Sequence, residues 1–273
     1  MKKLYFFLLI VLSVIISMTV LIPFYFTVIN SLKSLADASS PDLTLPAMWQ
    51  FQNYKELFQS VNLFTAFKNS VLYTTLSVLL IVLVASTTSF ILQRRENPFT
   101  NIIFNIGLIG IILPASMVTT YFLLAKLHMS KIVLGPVVVY AALAFSMSIF
   151  LYTGYYRSIP REIDESAIID GCNIFQLFFR VIFPLVRPIT LTVIIIQSIN
   201  IWNDFNVAIY YLNNRKQITL VLTIFSLVSS SNTGIQWHLV FSYIVVSSLP
   251  IILAYFLLQK YIVGGITAGA VKG

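Results

Sequence analysis

Four of the chain's nine acidic residues, Glu162, Asp164, Glu165 and Asp170, fall in the run Ile-Pro-Arg-Glu-Ile-Asp-Glu-Ser-Ala-Ile-Ile-Asp-Gly from Ile159 to Gly171. Carboxylates gathered in this way can hold a metal ion and a nucleotide, or they can accept hydrogen bonds from basic and backbone donors of a partner protein. A metal–nucleotide site needs further paired carboxylates downstream. After Asp170 the next acidic residue is Asp204, which hydropathy puts on the opposite side of a membrane, so docking is the better reading.

Other reactive residues are few. His128 and His238 stand far apart without carboxylates at ligand spacing, so no metal site is expected. The single cysteine, Cys172, excludes an intrachain disulfide, a four-cysteine metal site and a redox pair, and fits a small buried role. No G-x-x-x-x-G-K-[ST] run occurs, so the chain carries no phosphate loop and any ATP chemistry belongs to another subunit. A second polar group, Gln197, Asn200, Asn203, Asp204 and Asn206, accompanies Trp202 along a late apolar run. Amides, a carboxylate and an aromatic face are what sugar sites offer, and some of these residues share a helix face. Polar residues can equally bond helices together inside a bundle, and Asp204 can sit at ease at a membrane interface. Both readings stay open.

The elements that carry these residues must live in lipid. Of the 273 residues 58% are hydrophobic and 10% charged, with a mean hydropathy of +0.91, whereas ordinary globular domains have about 25% charged residues. The net charge of +8 is spread singly or in pairs between apolar runs, which speaks for a membrane topology signal and against nucleic acid. Apolar runs able to cross about 30 Å of hydrocarbon are Leu4–Ile29, Val71–Leu92, Ile102–Leu124, Ile132–Tyr152, Ile182–Ile201 and Val240–Leu258. The first, at 26 residues, exceeds a signal peptide's apolar region of about 7 to 15 and reads as a retained span. Ile218–Val228 is too short to cross and is expected outside the membrane core. Arg94 with Arg95, and Arg157, Arg161, Arg180 and Arg187, fill two connections on one side. That side, with both termini, is therefore expected to be cytoplasmic. The outer segment from Asn30 to Ala66, with Pro41 and Pro46, reads as a loop needing little regular structure.

The inner segment from Thr153 to Val181 has a pattern. Pro160 suits a first helical position, acidic residues in the first turn complement the helix dipole, and Gly171 offers a left-handed stop. The predicted helix has Ile163, Ala167 and Ile168 on one side and Glu162, Glu165 and Ile169 on another. Asn173 can cap a second helix, Ile174–Phe183, before Pro184.

These residues carry a resemblance. Glu165-Ser166-Ala167, three residues, Gly171, nine residues, then Val181-Ile182-Phe183-Pro184 resembles the Glu-Ala-Ala…Gly…Ile-x-Leu-Pro signature of permease subunits of binding-protein-dependent ABC importers. Ser166, Val181 and Phe183 depart from it while keeping size or polarity class. Asn53-Tyr54, Leu57-Phe58, Phe67 with Asn69-Ser70, Trp202-Asn203-Asp204-Phe205 and the end Gly265 to Gly273 are similar to the carbohydrate branch, specifically to the maltose transporter's smaller permease.

The resemblance implies an all-α integral membrane protein of the type I ABC importer permease (MetI-like) fold, with six spans. Residues 1–30 form an added first span, 31–66 an extracytoplasmic loop, 67–260 the five-helix core with a coupling helix at 159–171, and 261–273 a cytoplasmic tail. Glu162, Glu165, Ser166, Ala167, Asp170 and Gly171 then dock on an ATPase subunit. Ala268, Gly269, Lys272 and Gly273 reach the interface between two such subunits. The implied partners are a homologous second permease in a heterodimer, two ATP-binding subunits that hold ATP and Mg, an extracytoplasmic sugar-binding protein, and membrane lipid. This chain itself holds no cofactor and is not an enzyme. The rival is a self-sufficient secondary transporter or channel, against which stand the missing internal repeat and the lack of mid-span charges for ion coupling.

Overall fold

The structure, a computed structural model, describes residues 2–270 except Glu96, Pro114, Lys131, Asn213, Arg215 and 230–233, with side chains from Tyr5 to Leu253 and at Phe256. Among the described residues all regular structure is helical. In chain order the helices are α1 (Lys2–Ser31), α2 (Leu35–Ala38), α3 (Gln52–Ser60), α4 (Leu63–Arg94), α5 (Pro98–Ile112), α6 (Met117–Lys126), α7 (Leu134–Tyr156) and α8 (Glu162–Ile169). There follow α9 (Ile174–Gln176), a π-helical stretch (Leu177–Ile182), α10 (Phe183–Leu185), α11 (Arg187–Trp202), α12 (Asn206–Tyr211), α13 (Leu220–Ser229) and α14 (Trp237–Ala270).

Three helices are long and apolar enough to cross a membrane, Tyr5–Ser31, Leu63–Arg94 and Leu134–Tyr156. A fourth results if Ile174–Leu185 and Arg187–Trp202, bent by 76°, form one span. Two of the six expected runs are thus interrupted, and proline accounts for both breaks. Ile102–Leu124 divides into α5 and α6 because Leu113, the residue before Pro114, is extended at φ −72°, ψ 127°, the conformation a following proline imposes. Ile182–Ile201 divides at Val186, followed by Pro188 in the first turn of α11, where its missing N–H costs no helical bond. The run of 218–228 overlaps the ten-residue α13, Leu220–Ser229, about 15 Å long and short of a membrane's width. The backbone of α14 stays helical through Ala270, across most of the segment expected as a tail.

Packing divides the chain into two units, and each has its own ties. In Met1–Phe67 with Leu222–Ile252, the long loop is held by buried asparagines. Asn53 Nδ2 donates to the carbonyls of Ser31 and Lys33, both at 2.9 Å. Asn30 Nδ2 donates to Asp42 O at 2.9 Å while the Asp42 N–H donates back to Asn30 Oδ1. The Lys33 ammonium pairs with Asp42 and, with the hydroxyl and N–H of Thr44, holds that carboxyl down at about 2. Ser242 of α14 donates to Ser31 O at 3.1 Å, and Phe26 meets Phe241 edge-on at 5.7 Å. The loop is therefore a bonded structure with two short helices. Proline content alone hides this, because the ties are side chain to backbone across some 20 residues.

In Lys68–Val221 with Leu253–Gly273, the core is a buried cluster drawn from α4, α7, the π-helical stretch and α11, including Ile81, Phe90, Tyr152, Tyr156, Phe178, Ile182 and Val193. Asn69 Nδ2 donates to the carbonyls of Lys216 and Ile218, both at 2.9 Å, and Ser70 Oγ accepts from the Leu220 N–H at 3.0 Å, so α4 anchors the approach to α13. Helix α6 ends on His128, which takes the left-handed φ of 57° that usually calls for glycine or asparagine.

Candidate functional site

Helix α8 begins at Glu162, with Arg161 as its N-cap and Pro160 just outside, two residues later than the proline suggests. Glu162, Asp164 and Glu165 occupy its first turn, where carboxylates meet the free N–H groups at the helix's positive end. Its end is a Schellman motif: Gly171 at φ 84° donates to Ile168 O at 3.0 Å, and Cys172 to Ala167 O at 3.0 Å. Asn173 then opens the next helix with a capping box, exchanging 3.0 Å bonds with Gln176. Instead of a regular helix to Phe183, the chain passes into the π-helical stretch, in which each N–H reaches one residue further back.

Two faces of α8 differ sharply. Inward, Ala167 is 6% exposed and Ile163 packs on the buried cluster. Beneath them Phe90 contacts Phe178 at 5.4 Å and Tyr156 at 6.0 Å. Asp164 shares this inner face and meets Arg94 of α4: Nη2 donates to Oδ1 at 3.0 Å, Nε lies 2.6 Å from Oδ2, and Nη1 donates to Ile159 O at 3.2 Å. Outward stand Glu162, Glu165, Ser166 and Asp170, all exposed. With them Ile168 is 59% and Ile169 85% exposed, and Ile174 and Phe175 are also open. The exposed face of α8 is thus an apolar tip with an acidic rim.

The structure places three of these residues more closely. Ala167 lies against the chain's own core at 6% exposure. Ser166 spends its hydroxyl on Glu162 O at 2.7 Å within the helix. Ile168, grouped by the sequence with Ile163 and Ala167, is outward. Sequence reasoning also missed Asp164. The usable signal was a carboxylate three residues before Ala167, on the face with Ile163, since a charge on a buried face requires a partner.

The second polar group is only partly brought together. Gln197 is buried and donates through Nε2 to Ser148 Oγ at 3.3 Å. Asp204 Oδ2 accepts from the Tyr140 hydroxyl at 3.2 Å and from the Val207 N–H at 2.8 Å. Thr190 accepts from the Tyr152 hydroxyl at 3.1 Å. Thr190, Gln197 and Asp204 thus form one row that pairs antiparallel with Tyr152, Ser148 and Tyr140 of α7. Asn200, Asn203 and Asn206 are exposed, and Asn203 bonds its own helix at Ile199 O. Ala268 and Gly269 lie in the backbone of α14, while Lys272 and Gly273 lie outside the described residues. Among the described residues no three His, Cys, Asp or Glu side chains gather to hold a metal.

Comparison with known proteins adds the rest. The chain is 33% identical over 265 residues to the melibiose/raffinose/stachyose import permease protein MelC of Bacillus subtilis (strain 168), covering 96% of this chain and 95% of that one. It is 33% identical over 263 residues to the probable starch degradation products transport system permease protein AmyC of Thermoanaerobacterium thermosulfurigenes, covering 96% and 95%. Its fold matches a chain in the crystal structure of a bacterial ABC transporter involved in the import of the acidic polysaccharide alginate, with a TM-score of 0.81 at 21% identity over 95% and 96% of the two chains. Residues 63–267 match the family described as binding-protein-dependent transport system inner membrane component, and with three quarters of its length so matched this chain is a multi-pass inner-membrane protein belonging to that family.

Proposed function

We propose that the chain is one of two different permease subunits of an ATP-driven sugar importer, and that α8 is the helix through which it engages an ATPase subunit. The observation that carries this is the two-sided build of α8, with one face pinned to the chain's own core and the other an exposed apolar tip ringed by Glu162, Glu165 and Asp170. In this reading six spans cross the bilayer: α1, α4, α5 with α6, α7, the bent pair ending in α11, and α14. Both termini are cytoplasmic. Two partner ATPases hold ATP and Mg, and an extracytoplasmic binding protein delivers the sugar. Ala268, Gly269, Lys272 and Gly273 approach the ATPase interface. The relatives' names support an oligosaccharide as cargo. Of the late polar residues, Asn200, Asn203 and Asn206 are exposed and placed to meet it, whereas Gln197 and Asp204 hold helices together.

The test is to tag the chain in its native host, extract it gently in detergent and identify what accompanies it by mass spectrometry. An ATPase, a second permease and a sugar-binding protein are expected. A chain that purifies alone and transports in liposomes overturns the proposal in favour of a secondary transporter.

A further inference from the structure

The pair of Arg94 and Asp164 belongs to neither the exposed face of α8 nor any span interior. The two residues are 70 apart in sequence, and their side chains are only 12% and 13% exposed. The guanidinium hydrogen-bonds one carboxylate oxygen through Nη2 and lies 2.6 Å from the other at Nε, which makes an ion-pair contact without a hydrogen bond, and its planar shape restricts angle as well as distance. The third arm, bonded to Ile159 O, extends the grip to the chain entering α8. With a helix side chain and a preceding carbonyl held by one planar group, α8 cannot roll about its axis without breaking three contacts.

The covalent connections of α8 run through short segments, and the one that follows it is itself packed on the core through Leu177 and Phe178. Before it runs the turn of 157–161. After it stands Gly171, whose φ of 84° lies in a region glycine enters and leaves freely, and then the short α9 and the π-helical stretch. Arg94, by contrast, is the last residue of the 32-residue α4.

We infer that Arg94 and Asp164 form a positioning clamp that makes α8 and the last turn of α4 one rigid body, so that force on the exposed face of α8 enters the membrane through α4. The inference rests on α8 being the docking helix. Neither residue touches ATP or sugar.

The experiment is hydrogen exchange on the complex purified with its ATPase subunits, with and without ATP and Mg, in wild type, Asp164→Asn, Asp164→Glu and the swap Arg94→Asp with Asp164→Arg. In wild type, nucleotide changes exchange in α8 and in the last turn of α4 together. In Asp164→Asn the α8 response persists while the α4 response falls about fivefold or more, and the swap restores part of it. An α4 response unchanged in Asp164→Asn, or absent in a swap that assembles, overturns the clamp and leaves the docking helix standing. If α8 shows no response in wild type, the docking reading itself fails. Where Asp164→Asn does not assemble, Asp164→Glu decides. It keeps the charge but shifts the fork, and retention of the full α4 response would sink the clamp.

Discussion

Helix α8 and the polar row along α11 pose the same question, since each gathers hydrogen-bonding side chains in an otherwise apolar chain. Their answers differ. On α8 the polar groups that look outward, Glu162, Glu165 and Asp170, are exposed, and the one that looks inward, Asp164, is consumed by Arg94. On the α11 row the members that look inward are all consumed, Thr190 by Tyr152, Gln197 by Ser148 and Asp204 by Tyr140. A polar residue is available for a partner only where its own fold has left it over, and sequence spacing reports the face but not who occupies it. The exposed isoleucines of α8 make the point from the other side. In a segment outside the long apolar spans, Ile169 at 85% exposure gains nothing from the chain's own fold, and the proposed docking gives it a place to be buried.

The comparison breaks most readily at Ile169. Ile169→Asp is expected to lower uptake by about fiftyfold while moving the thermal midpoint of the detergent-solubilised protein hardly at all, because an exposed substitution shifts stability by about 0.5 kcal/mol or less. Equal losses of uptake and stability would make α8 a structural element. Next comes Gly171→Val. A Cβ there meets nothing within 4 Å, so the cost is purely that of a branched residue at positive φ, about 1–2 kcal/mol. It should appear as faster hydrogen exchange at the end of α8, with Gly171→Asn milder. The smallest effect is expected at Gln197→Leu, which deletes one interhelical bond worth about 0.6 kcal/mol in a membrane protein. Denaturation of the solubilised protein should record a loss of that size with transport within about twofold. A collapse of transport at unchanged stability would instead make Gln197 part of the sugar's path.

Local chemistry was legible in the sequence. Gly171 as a left-handed stop, Asn173 as a cap and the acidic first turn of α8 follow from residue types within a few positions of each other, and all three stand in the structure. Hydropathy marked where apolar helices lie but not where they break, because Pro114 and Pro188 contribute almost nothing to a windowed average while deciding the backbone around them. Long-range pairs were the least legible. Arg94 with Asp164, Asn53 with the carbonyls of Ser31 and Lys33, and Asn69 with Lys216 and Ile218 each join residues 20 to 149 positions apart. Nothing in a single sequence marks such partners beyond the rule that a buried polar group must have one.

The α7–α11 row has a consequence for how these helices can move. On the α11 side its members are spaced seven and seven, and on the α7 side four and eight. Thr190 and Gln197 are two turns apart on α11, whereas Asp204 lies past the helix end at Trp202, on non-helical chain. The row therefore latches α7 both to α11 and to the chain leaving it. If α11 slid along α7 by a turn, each of the three present bonds would have to break. Sliding is replaced by a choice between staying in register and letting go of all three at once.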